Sequence, residues 1–416
     1  MTKNIHGCYL LISASILLVC IFPIFGQNGY IISNASMWIT SIICIFYFLF
    51  KERVVFNRFI IAYLGYIAFS IVSVVWSRNT SAAYSRIIDM SMCLCWIIAI
   101  NSYCNIYNDN ASEKFQTVFV AGTTFISLYC LIIELPTLSI WARLGNQEFM
   151  KAGQGQIYYT CVLIYSMIIL IYRIIANKRS ILRVLYSALF VFLYLCGILT
   201  AVRKTMIIPV VFLIVIIWCQ DRRQIVKMAM ILLVAAIIGS LTLHFIYKYV
   251  PSMALRLQSL LDDFSSSSNA SVDGNSYERR KWLIQNAKQR FLKHPILGVG
   301  IGQSRFYAAD KGLDMYAHNN FMEVLANTGC IGFVIYYFVQ FKTTIKAFKL
   351  SRNPENLHAG YVFSFFVAIF VMEYGQVDYY QTFYIMIPLL MTNYIDDYKC
   401  CFTWERRNRW NIERKA

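Results

Sequence analysis

Ionisable side chains beside long apolar runs are the first candidates for chemistry, because charge near hydrocarbon is costly and is kept mainly where it acts. Asp89, Glu134, Arg203, His318, Glu323, Glu373 and Asp378 are such residues in this chain. They offer a guanidinium for an anion, carboxylates for orientation, and an imidazole that titrates near neutrality. Each also has a plainer reading. Arg203 and Lys204 can close a tight turn against headgroup phosphates. Asn319, after His318, is a strong helix N-cap. Glu323 falls in the first turn of the same helix, where the dipole favours an acid. Glu134, Glu373 and Asp378 fit as interface residues at span ends, and His244, His294 and His358 as loop, interface or opposite-side residues.

Other chemistry is excluded by spacing. Gly298-Val-Gly300-Ile-Gly302 lacks the strand before it and the Lys-Ser/Thr after it that a nucleotide loop needs. No paired histidines or His/Cys/Asp cluster has metal spacing, so no metal and no cofactor is expected. The 13 cysteines lie mostly in apolar runs, with Cys93 and Cys95 too close for a C-x-x-C motif, and read as small packing residues.

The elements that must position these groups follow from composition. Of 416 residues 58% are hydrophobic and 14% charged, with mean hydropathy +0.54, against about 25% charged in soluble domains. That excludes a disordered chain, a collagen and an ordinary cytosolic enzyme. Twelve apolar runs are long enough to cross a bilayer: 8–26, 31–50, 59–76, 87–104, 115–135, 157–175, 182–201, 205–219, 228–247, 320–341, 358–375 and 379–396. The run at 205–219 is short and holds Pro209, which blurs its ends. The expected fold is an all-α polytopic membrane protein of about 12 spans: spans 1 to 9 over residues 1–247, an outer loop over 248–318, spans 10 to 12 over 319–397 and a basic tail over 398–416.

Direction follows from lysine and arginine. One alternate set of connections, with both termini, holds 22 of the 38 basic residues, and the short connections of the other set hold 6. The positive-inside rule makes the first set and both termini cytoplasmic. All seven candidate groups then open to the outer face. In the long outer loop, Glu278–Lys293 reads as a helix with Trp282, Leu283, Ala287 and Phe291 on one face, flanked by Arg279, Arg280 and Lys281. Such a helix lies on the outer leaflet or caps a cavity. The net charge of +17 is therefore mostly a topology signal, and no nucleic-acid partner is expected.

Arg280 through Gly332 resembles the O-antigen ligase and O-antigen polymerase superfamily of polysaccharide assembly. The matching residues are Arg280, His294-Pro295-Ile-Leu-Gly298-Val-Gly300, His318-Asn319-Asn320-Phe321-Met-Glu323 and Gly329-Cys-Ile-Gly332, with Thr200-Ala-Val-Arg203-Lys204 and Trp76-Ser77 as further pieces. The sequence departs from the family in the bulky Ala-Val before Arg203. Arg279 also stands beside Arg280, and Arg280 keeps the usual offset to Pro295. The resemblance implies a GT-C-type membrane glycosyltransferase acting on glycans linked to undecaprenyl pyrophosphate. Arg203 and Arg280 would hold the diphosphate and stabilise the leaving group, and His318 would take the proton of the attacking hydroxyl. Arg279, Lys204, Asn319 and Glu323 would orient the base or the substrate, and two arginines in place of a metal imply metal independence.

The expected function is a polymerase that joins lipid-linked repeat units of an O-antigen, capsule or exopolysaccharide at the outer face of a bacterial inner membrane. Its partners would be the lipid-linked donor and acceptor, the bilayer and a chain-length regulator. A ligase, passing the glycan to lipid A-core or another acceptor, shares the donor residues. A lipid-linked glycan flippase is the non-enzyme reading. It would place charges through the midplane and show a two-fold repeat, neither of which is visible.

Overall fold

The computed structural model describes residues 2–107, 110–134, 155–200, 202–220, 276–306, 315–353 and 356–395. The expected span at 228–247, the connection at 248–275 and the tail at 398–416 lie outside the described residues, as does the side chain of Glu134. Among the described residues there is no strand. The helices are α1 (Thr2–Ile21), α2 (Gly26–Lys51), α3 (Arg58–Ser73), α4 (Thr80–Tyr107), α5 (Ala111–Glu134), α6 (Gly155–Ala176), α7 (Ser180–Leu199), α8 (Arg203–Gln220), α9 (Ser276–Lys293), α10 (Asn320–Leu350), α11 (Leu357–Glu373) and α12 (Thr382–Ile395). Eight of them are long and apolar enough to cross a membrane, with shorter apolar stretches in α1, α11 and α12. The chain is a multi-pass membrane protein, and each expected span that falls on described residues is a helix.

The core of the bundle is α6 and α12. Val162 to Leu170 and Ile385 to Met391 are almost wholly inaccessible. Phe383 of α12 packs on Phe119 of α5 and Tyr158 of α6, and Tyr384 packs on Tyr165. Around them α1 packs on α5 and α2, α2 on α4, α3 on α10, and α8 on α11. Helices with apolar residues on every side form such a core, since lipid and protein neighbours are equally apolar. Their cysteines serve as packing residues: among the described residues none is in a disulfide, and most are buried.

Polar side chains fix the register at each end. At one end Asn57 donates to Asn393 (2.7 Å), Asn393 to Asn101 (2.9 Å) and Asn101 to the Val55 carbonyl (2.7 Å). His358 pairs with the Tyr172 hydroxyl there, at 2.8 Å. Asp89, Arg203, His318, Glu323, Glu373 and Asp378 lie at the other end.

Three boundaries differ from expectation. Helix α8 runs unbroken through Pro209, from Arg203 to Gln220, and its first turn is tied by the Thr205 hydroxyl, which donates to the Val202 carbonyl (2.6 Å). Helix α11 ends at Glu373 and α12 begins at Thr382, so residues 374–381 form a turn where apolar composition had extended both spans. Helix α9 lays its apolar stripe on the protein: Leu283 and Ala287 are buried, and Ala287 clusters with Ala317, Ala326 and Met322.

Helix α10 is kinked at Gly329, with φ 62° and ψ −166°. A kink in a span frees backbone groups that must be paired again, and the segment after α9 pairs them. Val299 and Gly300 N–H groups donate to the Ala326 and Asn327 carbonyls (3.0 and 2.8 Å), and Cys330 and Ile331 N–H groups donate to Pro295 and Ile296 (2.8 and 3.3 Å). The glycines are the condition for this approach. A Cβ on Gly298 would lie 2.4 Å from the Asn327 carbonyl, and one on Gly329 2.2 Å from the Ile296 oxygen. The Pro-x-x-Gly-x-Gly and Gly-x-x-Gly pieces are two sides of one joint.

Candidate active site

That joint sets the floor of the site. The Gly300 turn packs against Ser77 at the α3–α4 connection, Ile301 N–H donates to Ser73 Oγ (3.1 Å), and Ser304 N–H donates to Asn327 Oδ1 (2.8 Å). Glu323 ties the layers together. Its Oε1 accepts from Ser304 Oγ (2.5 Å) and Asn327 Nδ2 (3.1 Å), and its Oε2 accepts from the Ala317 N–H (2.8 Å). The side chain is 3% exposed. It therefore acts on the backbone just before His318. A buried carboxylate with three donors is replaced poorly by an amide, which turns its own donors toward them. Glu323→Gln is expected to destabilise the protein by about 1–3 kcal/mol, read as the thermal stability of the purified variant.

His318 follows in a left-handed conformation, φ 54°, alone in this among the non-glycine residues described. Such a conformation costs about 1–3 kcal/mol and persists where neighbours over-determine it. Here Glu323 holds Ala317 on one side. On the other, Asn319 caps α10 by accepting from Met322 N–H (3.0 Å), and it donates to the Tyr374 carbonyl (3.3 Å). The His318 ring is tilted against Tyr316, with centroids 4.4 Å apart. Burial, then the positive charges of Arg280, Lys204 and Arg279, pull its pKa down to about 3. The imidazole is neutral at physiological pH and sits in a positive field. Arg280 contributes more of that field than Arg279, and it also acts on Tyr316.

The basic groups come from two places. Arg279 and Arg280 are on the first turns of α9, half-buried and exposed respectively. Arg203 and Lys204 begin α8, Arg203 exposed. Lys204 turns inward: its Nζ donates to the Gly375 carbonyl (2.7 Å) and Gln376 Oε1 (2.9 Å). Gln376 also bonds Tyr384, whose hydroxyl reaches Cys161.

The α11–α12 turn, which Glu373 and Asp378 marked in the sequence, is thus a hub whose partners the sequence did not show. Besides Lys204 and Asn319, it engages Asn320, whose Oδ1 accepts from Asp378 and Tyr379 N–H groups (3.1 and 3.3 Å). Asn320 Nδ2 donates to Tyr337 (2.8 Å), and Tyr337 donates to Glu373 Oε2 (2.8 Å). Asp378 is fully buried with no hydrogen-bond partner for its carboxyl oxygens among the described residues. Burial beside Glu373 pushes its carboxyl well above the usual carboxylate range, so it contributes little negative charge. Tyr316, Tyr337 and Gln376 are the residues of this network that sequence reading missed. Glu373 and Asp378 are the only members of this turn that composition singles out. Among the described residues no group of three His, Cys, Asp or Glu side chains could hold a metal ion.

Fold and site together define a polytopic helical membrane protein with a neutral imidazole in the field of Arg280, Lys204 and Arg279 at one end of the bundle. Residues 188–337 match the family model described as O-Antigen ligase, so this stretch carries that family's domain, and the resemblance to the O-antigen polymerase and ligase superfamily holds. The matched region runs from α7 through the basic residues, the glycine joint and His318 to Tyr337. It supports a polymerase- or ligase-type function in the broad sense. No curated protein matches the chain.

Proposed function

We propose that the chain is a membrane glycosyltransferase that polymerises undecaprenyl-pyrophosphate-linked repeat units of a surface polysaccharide at the outer face of a bacterial inner membrane. The observation that carries this reading is the neutral His318 imidazole set within the field of Arg280, Lys204 and Arg279. An acceptor hydroxyl attacks the anomeric carbon of the growing chain and its proton passes to His318. The bond from that carbon to the pyrophosphate oxygen breaks, and lipid pyrophosphate leaves with the electron pair. Arg203 and Arg280 hold the departing oxygens, since a planar guanidinium bonds phosphate in bidentate fashion. Lys204 is shared between the turn at Gly375 and the positive field. No step in this scheme calls on a metal.

The test is replacement of Arg203 and Arg280 by lysine, which keeps charge and removes the fork. Loss of polymer is expected, and polymer of normal length in cells carrying both changes would overturn the pyrophosphate role. Activity lost on adding a chelator would overturn the metal-free scheme.

The field at His318 also makes a titration prediction. In the free protein His318 is expected to stay neutral until pH falls to about 3, so its protonation is absent at the usual value near 6.5. Inorganic pyrophosphate cancels the positive field and raises the midpoint. NMR of histidine-labelled protein, assigned with His318→Ala, checks both. A midpoint near 6.5 without pyrophosphate would contradict the geometry.

The ligase is the second reading, since the family matched over residues 188–337 supports either. Donor chemistry is common to both. A purified protein given only lipid-pyrophosphate oligosaccharide separates them: a polymerase lengthens it, and a ligase leaves it unchanged until lipid A-core or another acceptor is added.

A further inference from the structure

The outer end of α4 carries a polar face that packing does not require. Thr80, Ser81, Tyr84, Ser85 and Ile88 are exposed on one side of the helix, at the spacings that align side chains. With half-buried Asp89 they line an open recess of about 520 Å³. Tyr84 is 57% exposed. Asp89 Oδ2 is 3.4 Å from Arg86 Nη1, and the Arg86 guanidinium lies over the Tyr380 ring at 3.8 Å.

This recess adjoins the candidate active site. Arg86 and Ala82 pack on Gly302 of the glycine turn. The Asn79 backbone brackets Gln303, with N–H to Oε1 at 2.7 Å and Nε2 to carbonyl at 2.8 Å. Tyr380, beneath Arg86, is near enough to add to the burial that pushes the Tyr316 phenol up to about 12, and Tyr316 stacks against His318.

The lining selects among ligands. Phosphate is disfavoured, because Asp89 is the sole charged group lining the recess and is negative. A hydrocarbon chain would bury hydroxyls and a charged pair against apolar surface, which is unfavourable. A polyhydroxylated chain satisfies them: a carboxylate accepts from adjacent hydroxyls, and a phenol ring covers a weakly polar sugar face. We infer that this recess binds the glycan of the acceptor substrate, its hydroxyls held by Asp89 and one sugar seated on Tyr84. The inference rests on the proposed glycosyl transfer.

Two measurements test it. Full-length protein in nanodiscs of zwitterionic lipid is mixed with lipid-free repeat-unit oligosaccharide cleaved from the surface polysaccharide of the cells that carry the chain, and binding is read by saturation-transfer NMR. Binding to the wild type is expected, weakened about tenfold or more in Asp89→Asn and in Tyr84→Ala. Tyr84 is exposed, so its truncation removes little packing. In transfer assays the same variants raise KM for the acceptor by a similar factor with kcat held, whereas Arg280→Lys lowers kcat. Equal binding by wild type and both variants, or no binding by the wild type, overturns the recess. A protein that binds oligosaccharide through Asp89 yet transfers nothing overturns the proposed function and leaves the recess standing.

Discussion

His318→Ala protein is expected to fold and insert normally and to transfer sugar about 10²–10⁴-fold more slowly than wild type, the range for losing a general base. His318 makes no hydrogen bond that holds the bundle together; its backbone is fixed through Ala317 and Asn319 instead. Alanine removes the ring that burial and the charges of Arg280, Lys204 and Arg279 keep in its neutral form. The measurement is initial rate on a defined lipid-pyrophosphate oligosaccharide, with thermal stability of the purified variant as control. Full-length glycan ladders from His318→Ala cells would require another base. His318→Asn is the sharper variant, because asparagine tolerates the left-handed conformation and cannot take the proton.

Gly329→Ala is expected to cost more of the structure than any change at a charged residue. The added Cβ would sit 2.2 Å from the Ile296 oxygen, at a φ of 62° that already disfavours alanine. Relief requires the segment at 295–300 to withdraw from α10, breaking its four backbone hydrogen bonds to the kink. Unpaired backbone groups in an apolar setting cost several kcal/mol each, so loss of the folded state in detergent is expected, with loss of transfer. Gly298→Ala meets the Asn327 carbonyl at 2.4 Å and should behave alike. Gly65→Ala in α3 is the control, since its Cβ would meet only Ile335 at an ordinary 3.6 Å. A thermal melt of each purified variant checks the comparison; equal stability of Gly329→Ala and Gly65→Ala would mean that the joint is not rigid.

These two residues show why some of the site was legible and some was not. His318-Asn319 before an apolar run could be read as a pair at a helix start, and Asn319 does cap α10. The same residues could not reveal that Asn319 also reaches Tyr374, or that Asn320 reaches Tyr337 and the turn at Asp378. Glu323 could be read as an acid favoured by the helix dipole. Its partners, Ser304 and Ala317, come from a loop whose path depends on the glycine joint. Lys204 and Arg203 look equivalent in sequence, yet one turns into the protein and the other outward.

Sequence by itself determined the spans that fall on described residues, and the gathering of candidate groups at one end of the bundle. Crossing a bilayer depends on apolar length, a one-dimensional property carried by composition. Tertiary structure alone decided the kink at Gly329, the left-handed His318, the hub at residues 374–378 and the polar recess along α4. These depend on how each helix is rotated about its axis and which neighbour it meets. Between helices in lipid that choice is made by close packing and polar pairing, not by hydrophobicity, and apolar composition carries no record of it.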